Sequence, residues 1–192
     1  MKKPLTYKIC ISITSAIAKL YRPIYINEKV IPNEGGALLA GNHIHDFDGF
    51  LVISAIKKRY VRFLVKIELT KGFLGPFFKG AGMIPVDRAK KHTGVTQIGI
   101  DVLKNDNLLS LFPEGTVNET NELILPFKLG AIKMAYESKK PIIPFAITGK
   151  FKLFKKGLKL EFGEPYYVKS SDFEKENKIL MDKVTKLILK EK

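Results

Sequence analysis

Asn42-His43-Ile44-His45-Asp46-Phe47-Asp48 follows directly on an apolar run. A histidine with a carboxylate five positions on, and polar groups between, supplies a general base and a partner to orient it. Histidine, with an ordinary pKa of about 6.5, takes a proton at neutral pH when a hydroxyl or water stands within hydrogen-bond reach. Asp48 would accept from the other ring nitrogen and hold the tautomer. The chain has only three histidines, and His43 and His45 both fall here. In the structural alternative, Asn42 caps a following helix and the two acids satisfy its first amides. Metal binding is a third possibility, because His43, His45, Asp46 and Asp48 are all potential ligands. No cysteine lies nearby, and the remaining histidine, His92, sits in the basic stretch Lys90-Lys91-His92, where a solvated role is expected. No metal is expected.

Three further groups end candidate strands: Lys66 with Glu68, Asp87-Arg88, and Glu114-Gly115-Thr116. In an open α/β sheet ligands bind at strand ends. Arg88 suits a bidentate grip on phosphate and Lys66 a point charge. Gly115 permits close backbone approach to a ligand. Taken singly, each could be a surface ion pair or a turn. Together they point to an anionic substrate beside a base. There is no Gly-x-Ser-x-Gly elbow around Ser110, no phosphate loop of Walker type and no dinucleotide fingerprint. The chemistry implied is direct attack by a bound hydroxyl, with no covalent enzyme intermediate.

The elements that must position these groups alternate in type. Ala37–Ala40, 63–65, 83–86, 108–112, 141–147 and 159–162 read as strands, and residues around 50–56, 93–104, 129–138 and 172–190 as helices. A short strand and turn is expected over 25–32, and a short aromatic helix around Phe77-Phe78. Pro85 marks a sheet edge, since proline cannot donate a ladder bond in mid-sheet. This alternation argues a single-domain α/β sandwich with a mixed, largely parallel central sheet flanked by helices.

At 192 residues, 45% hydrophobic and 27% charged, the chain has the composition of one globular domain. Its lone cysteine, Cys10, cannot form an internal disulfide. The net charge of +14 should attract a polyanion, an anionic membrane face or an acidic substrate. No zinc-finger, leucine-zipper or single-strand platform pattern supports nucleic acid. No apolar run is long enough to span a bilayer. Residues 1–24 instead read as a short N-terminal amphipathic helix. Ile9, Ile13, Ile17, Leu20 and Tyr21 share one face, suited to a membrane interface or to packing on the domain. The α/β domain is expected over residues 25–192.

The blocks, in this order, resemble the glycerolipid acyltransferase family over roughly residues 25–165. His43 through Asp48 matches its histidine, four residues, aspartate motif; Lys66-Ile67-Glu68-Leu69 matches its Lys-x-Glu-Leu segment. Gly82 to Arg88, Phe112-Pro113-Glu114-Gly115-Thr116, Pro126-Phe127-Lys128 with Gly130, and Pro141-Ile142-Ile143-Pro144 match the later blocks. The resemblance implies that His43, supported by Asp48, deprotonates the sn-2 hydroxyl of a lysophosphatidic acid. That hydroxyl then attacks the thioester of acyl-carrier protein or acyl-CoA to give phosphatidate. Lys66 and Arg88 would hold the acceptor phosphate, Glu114, Gly115 and Thr116 would shape its site and fix backbone geometry, and the thioester is a co-substrate with no other cofactor implied. Peripheral attachment to the cytoplasmic face of a bacterial membrane through residues 5–21 is expected. The family commonly has arginine and serine after Glu-Gly-Thr, where Val117 and Asn118 stand here, so Lys128 is a candidate substitute cation. It often has serine where this chain has His45. A different lysolipid or other acyl acceptor, or a noncatalytic basic membrane-binding role, stays open as an alternative. An acyl-chain pocket is expected around Phe73–Phe78.

Overall fold

A computed structural model describes residues 4–73, 75–87 and 94–190. Seven strands form one sheet: β1 (Ile24–Ile26), β2 (Ala37–Gly41), β3 (Val61–Lys66), β4 (Met83–Val86), β5 (Leu108–Leu111), β6 (Ile142–Thr148) and β7 (Lys159–Phe162). Their spatial order is β1-β7-β6-β2-β5-β3-β4. From β6 to β4 every neighbouring pair is parallel; β7 turns back antiparallel on β6, and β1 pairs parallel with β7. The sheet is therefore mixed and largely parallel, with Pro85 on its edge strand as the sequence requires.

Among the described residues there are six α-helices: α1 (Leu5–Tyr21), α2 (Asp48–Ala55), α3 (Gly75–Gly80), α4 (Val95–Lys104), α5 (Gly130–Ser138) and α6 (Phe173–Leu189), with short 3-10 turns over Glu28–Val30 and Ile67–Thr70. Strand side chains alternate between two apolar layers, as period-2 geometry dictates. Leu38, Ala40, Leu109, Ile142 and Ala146 pack with Ile100, Leu103, Ile132, Leu180 and Val184 of α4, α5 and α6. Ala37, Leu39, Leu108, Ile143 and Phe145 pack on the other face with Leu51, Val52 and Ile53 of α2. All five residues of β2 are buried, which fits a central parallel strand covered on both sides.

The long helix α1 docks on the α2 side. Tyr7 is fully buried, and its hydroxyl accepts from the Val61 amide at 2.9 Å and donates to the Arg59 carbonyl at 3.3 Å. Cys10, Thr14 and Ala18 continue the buried face. Ile17 and Tyr21 are half-buried, whereas Leu5, Ile9, Ile13 and Leu20 face outward. The helix thus packs a mostly small and polar stripe inward and leaves much of the expected apolar face exposed. Among the described residues, no helix is long and apolar enough to cross a membrane.

Candidate active site

The parallel strands β2, β3, β4 and β5 end at the same edge of the sheet, and the sequence blocks occupy those ends. His43 follows β2, Lys66 closes β3 and is paired with Val86 of β4, and Glu114 follows β5. This is where open parallel sheets bind ligands, because chain reversal there leaves loop and helix-start amides pointing outward.

Between β2 and α2 the chain makes a tight connection. Asn42 does not cap the helix. Its side chain donates to the Ile147 carbonyl at 2.8 Å and accepts from the Ile147 amide at 2.7 Å, which clamps the end of β2 to β6. Asp48 opens α2 and turns back over the connection. Its Oδ2 accepts from the amides of Ile44 at 2.7 Å and His45 at 2.9 Å, and lies 2.9 Å from Nδ1 of His43. Asp48 is completely buried, while the His43 side chain keeps 18% exposure. The imidazole stacks on Phe112 with ring centroids 4.1 Å apart and a 15° interplanar angle. The ring is thus fixed on one face by an aromatic and at Nδ1 by a carboxylate.

Glu114 holds the same histidine from the backbone side. Its Oε1 accepts from the His43 amide at 2.8 Å and its Oε2 from the Leu125 amide at 2.9 Å. The residue is buried, and burial raises its carboxyl pKa, with the amides of Leu125 and His43 pulling it partly back down. Both oxygens are therefore engaged by the protein, which makes Glu114 a clamp between block and loop. The Asn118 amide completes the clamp by donating to the His43 carbonyl at 2.7 Å. Asn118 also fastens its own loop, accepting from the Thr120 hydroxyl at 2.6 Å and donating to the Glu122 carbonyl at 2.9 Å.

Gly115 has φ of 79°, a conformation suited to glycine. A Cβ there would stand 2.5 Å from Nζ of Lys128, so the structure brings Lys128 against the Glu114-Gly115-Thr116 turn. Lys128 is exposed, and its amide donates to the Pro113 carbonyl at 2.9 Å. Thr116 and Lys66 are exposed at the same edge. Arg88 and His92 lie outside the described residues. Among the described residues no cluster of histidine, cysteine and acids is placed to hold a metal ion.

His45 takes a separate path from His43. Its Nδ1 accepts from the Phe47 amide at 3.1 Å, and its ring stacks on Phe151 at 4.3 Å. Phe151 in turn meets Tyr21 edge-on at 5.4 Å. A narrow apolar crevice opens beside these rings, between α1, the start of α2 and Leu158. Phe73 faces solvent, and the Phe77 and Phe78 rings meet edge-on with centroids 5.9 Å apart.

Of the residues singled out by sequence, the structure joins His43 to Asp48 and places Lys66, Glu114, Gly115, Thr116 and Lys128 at the same sheet edge. Sequence reasoning did not foresee the clamps made by Asn42 and Asn118, or which amides Glu114 holds, because their partners are remote in the chain. Phe112 stands in a block noted for its Glu-Gly-Thr, and its place one residue beyond a buried strand was the available signal.

The acyltransferase family model matches residues 22–148. The 1-acyl-sn-glycerol-3-phosphate acyltransferase of Bacillus subtilis (strain 168) is 30% identical over 167 residues, covering 84% of this chain and 82% of that one. The probable enzyme of the same name from Mycoplasma pneumoniae is 28% identical over 132 residues, covering 66% of this chain and 49% of that one. The crystal structure of PlsC, the 1-acyl-sn-glycerophosphate (LPA) acyltransferase from Thermotoga maritima, superposes with a TM-score of 0.78. That match covers 96% of this chain and 79% of the other at 18% identity, and it bears on the fold. A sheet with the histidine and aspartate block at one strand end, the Glu-Gly-Thr block at the next, and a family match over both make this chain a member of the acyltransferase family.

Proposed function

We propose that the protein transfers an acyl group from a thioester carrier to the sn-2 hydroxyl of 1-acylglycerol-3-phosphate, yielding phosphatidate. The carrying observation is the contact of His43 Nδ1 with the buried Asp48 carboxylate. An ionised Asp48 keeps the imidazole proton on Nδ1 and leaves the Nε2 lone pair for the acceptor hydroxyl. His43 takes that proton as the alkoxide oxygen bonds to the thioester carbonyl carbon. As the tetrahedral adduct collapses, the C–S bond breaks, and His43 returns the proton to the departing thiolate. Acyl chain, hydroxyl and thiol balance without a covalent enzyme intermediate or a further cofactor. Lys66, Lys128 and Arg88 supply cations for the acceptor phosphate, and Gly115 and Thr116 shape its approach. Glu114 acts here by positioning His43.

Residues 25–192 form the catalytic unit in this reading. The outward face of α1, with Leu5, Ile9, Ile13 and Leu20 exposed, rests on the cytoplasmic face of a bacterial membrane. Anionic lipid suits the +14 charge, and an acidic carrier protein would suit it equally.

Acyl transfer from acyl-carrier protein and acyl-CoA to lysophosphatidate, with product identified by mass, tests the reaction. Wild type should form phosphatidate and His43→Ala should lose on the order of 10² to 10⁴ in rate. Absence of product from folded wild type, with product from a different lysolipid, would move the acceptor assignment. Absence of any product would end the catalytic reading.

A further inference from the structure

The segment 149–157, Gly-Lys-Phe-Lys-Leu-Phe-Lys-Lys-Gly, joins β6 to β7. The Lys155 amide donates to the Lys152 carbonyl at 3.2 Å, so residues 152–155 form a β-turn with Leu153 and Phe154 at its tip. Phe154 has φ of 59°, in the left-handed region where a turn ordinarily places glycine or asparagine. Local folding is better served by either of those. Yet the position carries a phenylalanine that is 68% exposed beside a leucine that is 53% exposed. Lys150, Lys152, Lys155 and Lys156 are exposed around the tip, and the segment contains no acid.

The tip has a fixed place. The Phe154 amide donates to the Leu20 carbonyl at 2.6 Å, at the end of α1, where Lys19 and Arg22 are also exposed. At the root of the segment, Phe151 is wedged between Tyr21 and His45, the latter two residues from His43. The turn is therefore tied both to the helix with the outward apolar face and to the active-site connection.

We propose that the Leu153-Phe154 turn is a second membrane-inserting element, which enters an anionic lipid surface beside α1. The proposal rests on the peripheral-membrane reading of α1 and adds an element to it. Two apolar side chains at a turn tip bury into the acyl boundary while the surrounding cations meet lipid phosphates. An acidic protein partner would use the lysines but would not call for exposed apolar residues at the tip, so the lipid surface is the occupant these observations favour. Insertion at this turn would hold the His45 and His43 connection near the plane from which a lysolipid arrives.

The chain contains no tryptophan, so a single introduced indole reports its own surroundings. Leu153→Trp and, separately, Ile13→Trp would be titrated with phosphatidylglycerol–phosphatidylcholine vesicles, with pure phosphatidylcholine vesicles and with acyl-carrier protein. The expected result is a blue-shifted emission from Leu153→Trp with anionic vesicles, quenched by lipids brominated in their acyl chains, and little change with the other two. Leu153→Ser with Phe154→Asn should lower partition onto anionic vesicles about tenfold, as loss of partial burial of two large apolar side chains implies. Their activity on detergent-dispersed substrate should hold, and Phe154→Asn should not lower Tm, since asparagine tolerates the backbone. A shift at Ile13→Trp with none at Leu153→Trp would overturn this proposal and leave the α1 reading standing. No shift at either would overturn both. A shift at Leu153→Trp with carrier protein but not with vesicles would make the turn a protein dock and overturn the proposal.

Discussion

Oδ2 of Asp48 faces three nitrogens: His43 Nδ1 and the amides of Ile44 and His45. One carboxylate therefore shapes the connection and orients the His43 ring together. Asp48→Asn can still offer an oxygen to the two amides, but it lacks the charge that stabilises an imidazolium. On the proposed mechanism it should lower kcat on the order of 10² to 10⁴ with little change in KM or Tm, read by steady-state kinetics and calorimetry. Glu114 makes a different forecast. Its carboxyl pKa is raised by burial, so the unfolded chain releases this proton first. From the ordinary glutamate value of about 4.3 up to the raised native value, the unfolded state binds fewer protons and this group lowers stability as pH rises. Glu114→Gln should remove that component, seen as a flatter difference in unfolding free energy against pH. It should also lower kcat, because a carboxamide turns its NH2 toward the amide of either His43 or Leu125. An unchanged kcat would show that the clamp does not position the base.

Strand and helix periodicity disclosed the alternating architecture, and the edge place of β4 followed from Pro85. Local pattern could not disclose contacts between distant segments. Asn42 looks like a helix cap by position, yet its amide meets Ile147, 105 residues away, because the end of β2 lies beside β6. The α1 face was ambiguous for a related reason. Ile9 and Ile13 form the more apolar stripe, but the domain offers a polar anchor to Tyr7 at the start of β3, and the helix turns accordingly. Tyr7→Phe should leave the buried Val61 amide unpaired and cost about 1–3 kcal/mol in denaturant melts. Ile9→Ser with Ile13→Ser should leave stability nearly unchanged while weakening flotation with anionic vesicles. If those exposed substitutions unfold the chain, the face belongs to its core.

At the scale of the molecule, charge acts on encounter more than on fold. The net charge of +14 predicts vesicle binding that weakens steeply as salt rises, since each basic residue near anionic lipid adds roughly 1 kcal/mol and screening removes it within a Debye length. Co-sedimentation across a salt series measures this. The family blocks were legible because chemistry restricts residue type at strand ends; the loop ties behind them were not, because backbone amides that donate to Glu114 or to the His43 carbonyl carry no residue signature. Those ties have an evolutionary consequence. Glu114 joins the His43 amide to Leu125, while Asn118 grips the His43 carbonyl, so the segment from 118 to 125 is fastened to His43 directly at its start and through Glu114 at its end. On the proposed mechanism, a lineage that drifts toward a new headgroup by altering this segment also moves the reacting histidine. Changes to the Lys66 or Lys128 side chains leave those hydrogen bonds untouched, so if these cations hold the acceptor as proposed, its preference is expected to diversify first through them and last through the loop.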